Sequence, residues 1–449
     1  MKLSKTMTAC ALAAALALAF SACSTGGSST PPASSPATTS GDTATTAAPV
    51  TLTMSGWSLA TTPEFQTLVT AFEAKEPNVT INIKEYDPNN YESLLLTDMT
   101  AKTAPDIIAI KQAKYTTQWA TGGQLMDVSD LVSALPSSVV GAASYQVNGK
   151  YYGVPYRQDS WLLFYDKDLF DKAGVAIPNG QWTWDDFVNN ALTLTTNLKA
   201  AGSSALGTYV HTWQSPVQGF ANAQMGDNTN LSGPYFSGDY SYMLPYYQNF
   251  LKLQDSGATV SYSDATTNKL TYQAQFGKQN CAMMLMGSWY IATLVSQQKS
   301  GDANQFTWGM VPAPQVDSST VSDPVTFGDP TGMGINANID PSKLQAAKDF
   351  LTFISSQDAA TALAGIGITP AMSSDAVTAA VFAQPGMPTD AESKTAFQTH
   401  KTYPENAPGP DQMNISTVLG NAHTAIMSES QDAASALAAA GTTVQNKDW

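Results

Sequence analysis

The sequence is poor in charged residues, and in arginine above all. Only 13% of its 449 residues are charged, about half of the roughly 25% that is usual. Arg157 is the single arginine, and the remaining basic residues are all lysine. The net charge of −15 argues against nucleic acid and anionic lipid as partners, because both are negatively charged. Neutral hydrogen-bonding groups and aromatic rings are plentiful instead, and they suit an uncharged, hydroxyl-rich ligand.

Long hydrophobic runs are also lacking, apart from one near the amino terminus. Two lysines precede an apolar run at residues 9–20, which is too short to span a membrane, so residues 1–22 are typical of an export signal. The motif Phe-Ser-Ala-Cys that follows resembles a bacterial lipobox, with Phe20 where leucine is usual. We therefore expect a lipid anchor on Cys23, with ordinary cleavage after Ala22 as the alternative.

Cysteine is scarce as well. Cys10 would leave with the signal and Cys23 would carry lipid, so Cys281 has no partner and an internal disulfide is excluded in that product. Residues 23–49 are almost wholly Ser, Thr, Gly, Pro and Ala, a composition that predicts a flexible tether.

Motifs of catalysis are missing. The sequence has no GxxxxGK[ST], HExxH, GxSxG or CxxC, so we predict no enzyme, no cofactor and no metal site. Acidic residues could form the carboxylate pair of a secreted glycosidase, but no spacing selects a pair. The three histidines are far apart and lack ligand-spaced partners; they are His211, His400 and His423.

What the sequence does contain is an alternation of strand and helix patterns after the tether. Strands are predicted at 50–54, 79–83 and 106–110, and amphipathic helices at 64–75 and 91–102. This order indicates an α/β fold with a parallel sheet. Such sheets bind ligands beyond the carboxyl ends of their strands. The polar and aromatic residues at these ends are candidate ligand groups or solvated loops: Trp57, Ser58, Tyr86, Asp87, Lys111 and Lys114.

A later stretch, residues 276–289, is the most informative. A polar turn leads into a short apolar run at 281–286, which has the length of a buried strand. Gly287 and Ser288 then allow a sharp turn just before Trp289. This pattern predicts either a Trp289 ring that forms one wall of a ligand cleft, or a plain core tryptophan.

Several ordered motifs, spread over residues 50–440, resemble the extracellular solute-binding proteins of the maltose-binding type, which serve ABC importers. The stretch at 277–289 resembles that family's "GK-x-A-M-x-x-x-G-x-W". Residues 152–155 are similar to its "Y-G-V-P", and residues 183–187 to its "T-W-D-D-F" helix start, for which Thr183 is a suitable N-cap.

The resemblance implies a two-lobe α/β fold, of the periplasmic-binding-protein kind, with a hinged cleft. Lobe one would comprise residues 50–158 and 315–356, and lobe two residues 159–314 and 357–440. The chain would cross between the lobes near 157–160 and again at Pro312–Pro314.

The resemblance also implies a function and further site residues. The chain would capture a carbohydrate, with an oligosaccharide favoured, and deliver it to ABC permease subunits. It would act as a monomer on the outer face of the bacterial cell membrane, attached to the membrane only through its lipid. A glycan-binding surface adhesin and a secreted glycosidase are the alternatives. Candidate ligand-binding residues are Arg157, Asp159, Trp213, Gln214, Gln218, Trp289, Asp329 and Gly332.

Arg157 has more than one possible role. Its planar guanidinium can bond bidentately and is always charged, which lysine cannot match. It could donate two hydrogen bonds to ligand oxygens or hold Asp159 in place to accept them. The alternative is a structural salt bridge that braces the hinge.

Overall fold

The computed structural model describes residues 48–60, 63–225, 232–372, 374–398, 401–407, 409 and 411–449. The predicted signal peptide, Cys23, the tether up to residue 47 and His400 lie outside the described residues. The described residues belong to one compact unit.

Strands and helices alternate over residues 50–121 of this unit, and farther along several strands or several helices follow one another. The strands are β1 Val50–Trp57, β2 Val79–Tyr86, β3 Ile107–Ile110, β4 Gln146–Val147, β5 Lys150–Tyr151, β6 Val154–Gln158, β7 Trp161–Asp166, β8 Leu206–Tyr209, β9 Cys281–Gly287, β10 Trp308–Pro312, β11 Val325–Phe327, β12 Pro330–Ile335 and β13 Lys401–Tyr403. The helices are α1 Glu64–Glu73, α2 Tyr91–Thr100, α3 Thr116–Thr121, α4 Ser129–Ser133, α5 Lys167–Ala173, α6 Trp184–Ala200, α7 Phe220–Gln224, α8 Pro234–Ser237, α9 Leu244–Asp255, α10 Tyr262–Thr267, α11 Tyr272–Gly277, α12 Trp289–Ser300, α13 Leu344–Ile354, α14 Gln357–Ala364, α15 Asp375–Phe382, α16 Ala391–Gln398, α17 Gln412–Met427 and α18 Ala433–Asn446. Short 3-10 turns at 113–115, 142–145 and 241–243 and a π-helix at 215–219 complete them.

The first sheet has the strand order β2-β1-β3-β12-β6. Strand β1 runs parallel to β2 and β3, as the alternating pattern predicted, whereas β12 runs antiparallel to both of its neighbours. The sheet is therefore mixed rather than purely parallel. Helix α1 buries Phe65, Leu68, Val69 and Phe72, because these apolar residues recur at the helical spacing.

The second sheet has the order β10-β7-β9-β8. Its central strands β7 and β9 are antiparallel and buried along their whole length, so both read as continuous apolar runs. Helix α6 begins with a capping box, in which Thr183 and Asp186 each bond the other's backbone N–H. Such a box satisfies two N–H groups that the first turn leaves open.

Two separate hydrophobic cores correspond to the two sheets and define lobe one and lobe two. The chain passes from the core of lobe one to that of lobe two between Tyr156 and Trp161. It returns between Phe327 and Met333, and it passes to lobe two again between Ile368 and Met372. We refer to residues 158–160, 328–330 and 369–371 as the three crossings.

The second crossing differs from the expected one at Pro312–Pro314. Strand β10 pairs with β7 and Ala313 is buried in the core of lobe two, so the chain has not yet left that lobe. Strand β11 then pairs with β13, and Phe327 packs in the same core. Residues 315–327, which the sequence assigned to lobe one, thus accompany lobe two. Helix α14, which the sequence assigned to lobe two, contributes Leu363 to the core of lobe one and Ala364 to that of lobe two.

Candidate functional site

The three crossings lie side by side. Gln158 donates its backbone N–H to the carbonyl of Thr369 over 3.2 Å and its side-chain amide to the carbonyl of Gly328 over 3.2 Å. Gly328 is needed here, because a Cβ would lie 1.9 Å from the carbonyl oxygen of Asp159. The side chains around these crossings are drawn from both lobes.

Arg157 is the centre of a buried polar group at the first crossing. Its Nη1 donates to Glu64 Oε2 over 2.6 Å, and its Nη2 donates to Thr331 Oγ1 over 2.9 Å. Nε lies 2.8 Å from Asp159 Oδ2, but its N–H is not directed at a hydrogen-bond acceptor. The Arg157 side chain is only 11% exposed. These contacts support the bracing role over direct donation to a ligand.

Asp159 connects Arg157 to lobe two. Its Oδ1 accepts a hydrogen bond from Ser288 Oγ over 3.1 Å. Burial raises the pKa of the Asp159 carboxyl, and the positive charge of Arg157 partly offsets this effect. The carboxylate therefore has two protein partners and is nearly inaccessible, with 3% of its surface exposed.

An aromatic group in lobe two forms the more open side of the site. Trp213 is 40% exposed, and its ring centroid lies 4.4 Å from that of His211, 5.7 Å from that of Tyr272 and 6.5 Å from that of Trp289. The pKa of Tyr272 is raised, first by burial, and is also affected by the charges of Arg157 and Asp159. Because Trp289 directly follows Ser288, whose Oγ bonds Asp159 Oδ1, the aromatic group lies near the first crossing.

Trp289 itself is half-buried and packs edge-on against Trp161, with ring centroids 5.6 Å apart. It follows the buried strand β9 directly through Gly287 and Ser288. A Cβ at Gly287 would lie 1.9 Å from the indole ring, so only glycine lets the ring fold back over the strand end.

The lobe-one candidates fall into a buried pair and a charged pair. Trp57 is 7% and Tyr86 5% exposed, and both rings pack edge-on against Tyr91. They are core residues in this structure. Lys111 Nζ lies 5.7 Å from the Trp57 ring centroid, and burial lowers the pKa of this amine. Lys114 lies similarly over the Tyr115 ring.

Two other lobe-one candidates shape the loops. Asp87 is exposed, and its Oδ1 accepts the backbone N–H of Asn89 over 2.9 Å. Ser58 is half-buried and adopts a left-handed backbone with φ of 50°. Such a φ is uncommon outside glycine and is found at ligand sites more often than elsewhere.

Asp329 forms a carboxyl pair with Glu405 at the second crossing. The backbone N–H of Glu405 donates to Asp329 Oδ1 over 3.1 Å, and Glu405 Oε1 accepts from Ser215 Oγ over 2.6 Å. Burial, and then the charge of Glu405, raise the pKa of Asp329 to about 7. Lys114 acts against this rise from lobe one.

Two predicted ligand residues have structural roles instead. Gln218 is 3% exposed, and its amide nitrogen donates to Tyr247 and to the carbonyl of Leu419. Gly332 lies inside β12, where a Cβ would meet the Tyr145 ring at 2.7 Å. Gln214 is half-buried beside Trp213.

The described part of the chain offers neither a metal site nor a membrane span. It contains no group of three His, Cys, Asp or Glu residues placed to hold a metal ion. His211 and His423 are inside the protein, and burial lowers the pKa of each imidazole to about 4. None of the described helices has the length and apolar character needed to cross a bilayer.

The profile of one protein family, described as "Bacterial extracellular solute-binding protein", matches residues 56–361. The chain belongs to this family. That assignment confirms the resemblance inferred from the motifs at 152–155, 183–187 and 277–289.

Relatives of this solute-binding protein support both family and fold. The crystal structure of a sugar transporter from Rhizobium etli, in an open conformation, is 30% identical with a TM-score of 0.72, over 88% of this chain and 99% of that one. The melibiose/raffinose/stachyose-binding protein of Bacillus subtilis is 22% identical over 65% of this chain and 66% of its own. A putative binding protein of Brucella abortus is 26% identical over 30% of this chain, and the match spans about a third (33%) of that relative.

The solute-binding protein also has site residues that its sequence did not reveal. Glu64 resembles any acidic residue in a first helical turn, yet it is fully buried against Tyr156 and Arg157. Tyr272 and Glu405 stand in stretches without a recognisable motif. The one usable signal was Ser288, because it lies between the buried strand and Trp289.

Proposed function

We propose that this solute-binding protein captures a carbohydrate, and specifically an oligosaccharide, between its lobes and delivers it to an ABC permease. The aromatic group of Trp213, Tyr272 and Trp289 carries the proposal. Aromatic rings of this kind can stack on the apolar faces of sugar rings, while nearby polar side chains pair with hydroxyls. The relatives from Rhizobium etli and Bacillus subtilis, whose names refer to sugars, support the same class of ligand.

Exposed polar side chains of both lobes suit a neutral ligand. Gln214 of lobe two, beside Trp213, and Asp87, Lys111 and Lys114 of lobe one are each at least partly exposed, so they could donate to or accept from hydroxyls. Arg157 and Asp159 would hold the floor of the site in shape rather than contact the sugar through free donors. Four buried candidates would support the site by packing rather than contact the sugar: Trp57, Tyr86, Gln218 and Gly332.

The remaining features of the proposal concern location and assembly. Lipidation of Cys23 would hold a monomer on the outer face of the cell membrane, with residues 23–49 as the tether. Capture without chemistry fits a family of binding proteins, so the chain is proposed not to be an enzyme.

A thermal-shift screen of purified protein against mono- and oligosaccharides tests the proposal. A sugar that binds only the folded state raises the melting temperature, and titration calorimetry then gives its affinity, expected at about micromolar or tighter. The sugar should remain intact. Reducing-sugar release over time would indicate a glycosidase, and binding limited to insoluble glycan would indicate an adhesin.

A further inference from the structure

Ser288 departs from the usual behaviour of a serine at the start of a helix. It occupies the N-cap position of α12, yet its φ of −59° and ψ of −18° are helical and its side chain makes no capping hydrogen bond. A serine there ordinarily accepts a backbone N–H from the first turn, which stabilises the helix. The hydroxyl is therefore directed elsewhere.

The hydroxyl joins two of the three crossings. Ser288 Oγ donates to Asp159 Oδ1 over 3.1 Å and accepts from Thr369 Oγ1 over 3.2 Å. The backbone N–H of Ser160 lies 3.3 Å from the same Oγ. The backbone N–H of Ser288 in turn donates to the carbonyl of Ser160 over 2.8 Å. The residue is fully buried, so no water competes for these bonds.

One turn after Ser288, helix α12 also lies against the residues that precede the third crossing. A Cβ at Gly367 would lie 3.3 Å from Ala292 Cα, and Ala292 also packs against the core of lobe one. The helix that begins with Trp289 is thus held at two points against the segment that leads into the third crossing. Trp289 directly follows Ser288, so its backbone is held close to these contacts.

We propose that Ser288 is a positioning residue that couples the arrangement of the lobes to the orientation of Trp289. A rotation of the lobes must change backbone torsions at the crossings. Because one hydroxyl is bonded to both the first and the third crossing, such a change is transmitted to the backbone that carries the indole. A sugar that stacks on Trp289 would therefore favour one arrangement of the lobes. This role rests on the proposed sugar-binding function.

The first test needs no ligand. Acrylamide quenching of Trp289 fluorescence is measured as the difference between each protein and its Trp289→Phe counterpart. Ser288→Ala should make Trp289 more accessible to quencher. Ser393→Ala is the matched control, because Ser393 is equally buried and its Oγ accepts the Met310 N–H over 3.0 Å within lobe two. Both variants should lose some thermal stability, but only Ser288→Ala should change Trp289 quenching.

A second variant keeps the test decisive if Ser288→Ala does not fold. Thr369→Val removes the hydroxyl that donates to Ser288 Oγ and preserves side-chain shape, so it should shift Trp289 quenching in the same direction. Unchanged quenching in a folded Ser288→Ala variant, or in Thr369→Val where Ser288→Ala is unfolded, overturns the proposal.

The coupling is then measured with sugar. Raffinose and maltotriose are the probes, and the radius of gyration is compared with and without them by small-angle scattering. Ser288→Ala loses the hydroxyl's bonds to Asp159 and Thr369 in the free and the bound protein alike, so we expect a net weakening of sugar binding of only about fivefold. It should also contract less at saturation than Ser393→Ala. A full contraction in Ser288→Ala contradicts the coupling. Failure of the wild type to bind any sugar in the wider screen contradicts the proposed function. The quenching experiment uses no sugar, so its result still tests whether Ser288 positions Trp289.

Discussion

Trp289 lies at the edge between core and site, and its replacement distinguishes the two roles. Trp289→Ala should weaken sugar binding by about 2–4 kcal/mol, the range of an aromatic hot spot. Trp308→Ala is the control, because Trp308 is 3% exposed in the core of lobe two and should cost about 3–5 kcal/mol of stability. Calorimetry and thermal melting measure both effects. An equal loss of stability in the two variants, with sugar affinity retained in Trp289→Ala, would assign Trp289 to the core.

Arg157 is expected to matter for stability more than for affinity. Arg157→Lys keeps the charge but loses the fork that reaches Glu64 and Thr331 together, which should lower the free energy of unfolding by about 2 kcal/mol. Thr331→Val removes one of these bonds without altering charge and should cost less. Urea denaturation measures the loss of stability in the two variants, and calorimetry measures their affinity for sugar. A tenfold loss of affinity without a stability change would restore the ligand role.

Asp329 should make stability depend on pH. Its pKa is raised from 3.8 to about 7 in the folded protein, so the folded state retains a proton that the unfolded chain releases. The resulting stabilisation is fully present below about pH 4 and is lost as pH rises through about 7. Asp329→Asn cannot titrate there, so the free energy of unfolding of the wild type relative to the variant should fall across this window.

Glu405→Gln provides the companion measurement. Removal of the Glu405 charge should lower the pKa of Asp329 and move the loss of stability to lower pH. Urea denaturation at several pH values follows both variants. Parallel wild-type and Asp329→Asn profiles would show that Asp329 is already ionised throughout.

The exposed parts of the candidate site were easier to predict from the sequence than its buried supports. Trp213 and Trp289 were predicted because an aromatic residue in a loop or at a strand end is unusual, and their contact with a ligand stays a prediction. Glu64 was not, because burial of a carboxylate depends on Tyr156 and Arg157, which are distant in sequence. Gln218 was assigned to the ligand because side-chain type cannot distinguish a donor in a cleft from one bonded to Tyr247.

At the scale of elements, the segment before the third crossing depends on one glycine. Gly367 has a φ of 78°, and an added Cβ would lie 3.3 Å from Ala292 Cα. Gly367→Ala should therefore be destabilising by about 1–2 kcal/mol for the backbone alone, with a further contribution from the contact. Gly202→Ala is the matched control, since its φ is 73° with open space around it. Equal melting temperatures for the two variants would mean that α12 can shift away from the added Cβ without loss of stability.

Elements with local signals were predicted well, and those that depend on distant pairing were not. The buried strand β9, helix α1 and the N-cap Thr183 of α6 all follow from residues within one short stretch. The second crossing was misplaced because β11 pairs with β13, near the far end of the chain. No local pattern at Pro312–Pro314 shows that the chain stays with lobe two as far as Phe327.

For the whole molecule, the three neighbouring crossings predict a hinge. Sugar should reduce the radius of gyration in small-angle scattering, because ligand held by groups from both lobes favours the closed arrangement. Trp289→Ala, which should bind weakly, is the control at the same sugar concentration. An unchanged wild-type profile at saturation would indicate lobes that are rigid or already closed.

The position of β12 in the first sheet has a consequence for biosynthesis. It lies between β3 and β6, so a nascent chain that has emerged only as far as β6 cannot assemble this sheet. The core of lobe two likewise cannot be completed until α17 and α18 have been made, because both helices contribute residues to it. Contacts between residues so far apart in sequence form slowly. If the amino-terminal segment directs export, we expect the late arrival of these elements to delay folding of both lobes, and so to leave the polypeptide able to thread a translocation channel while it is being made.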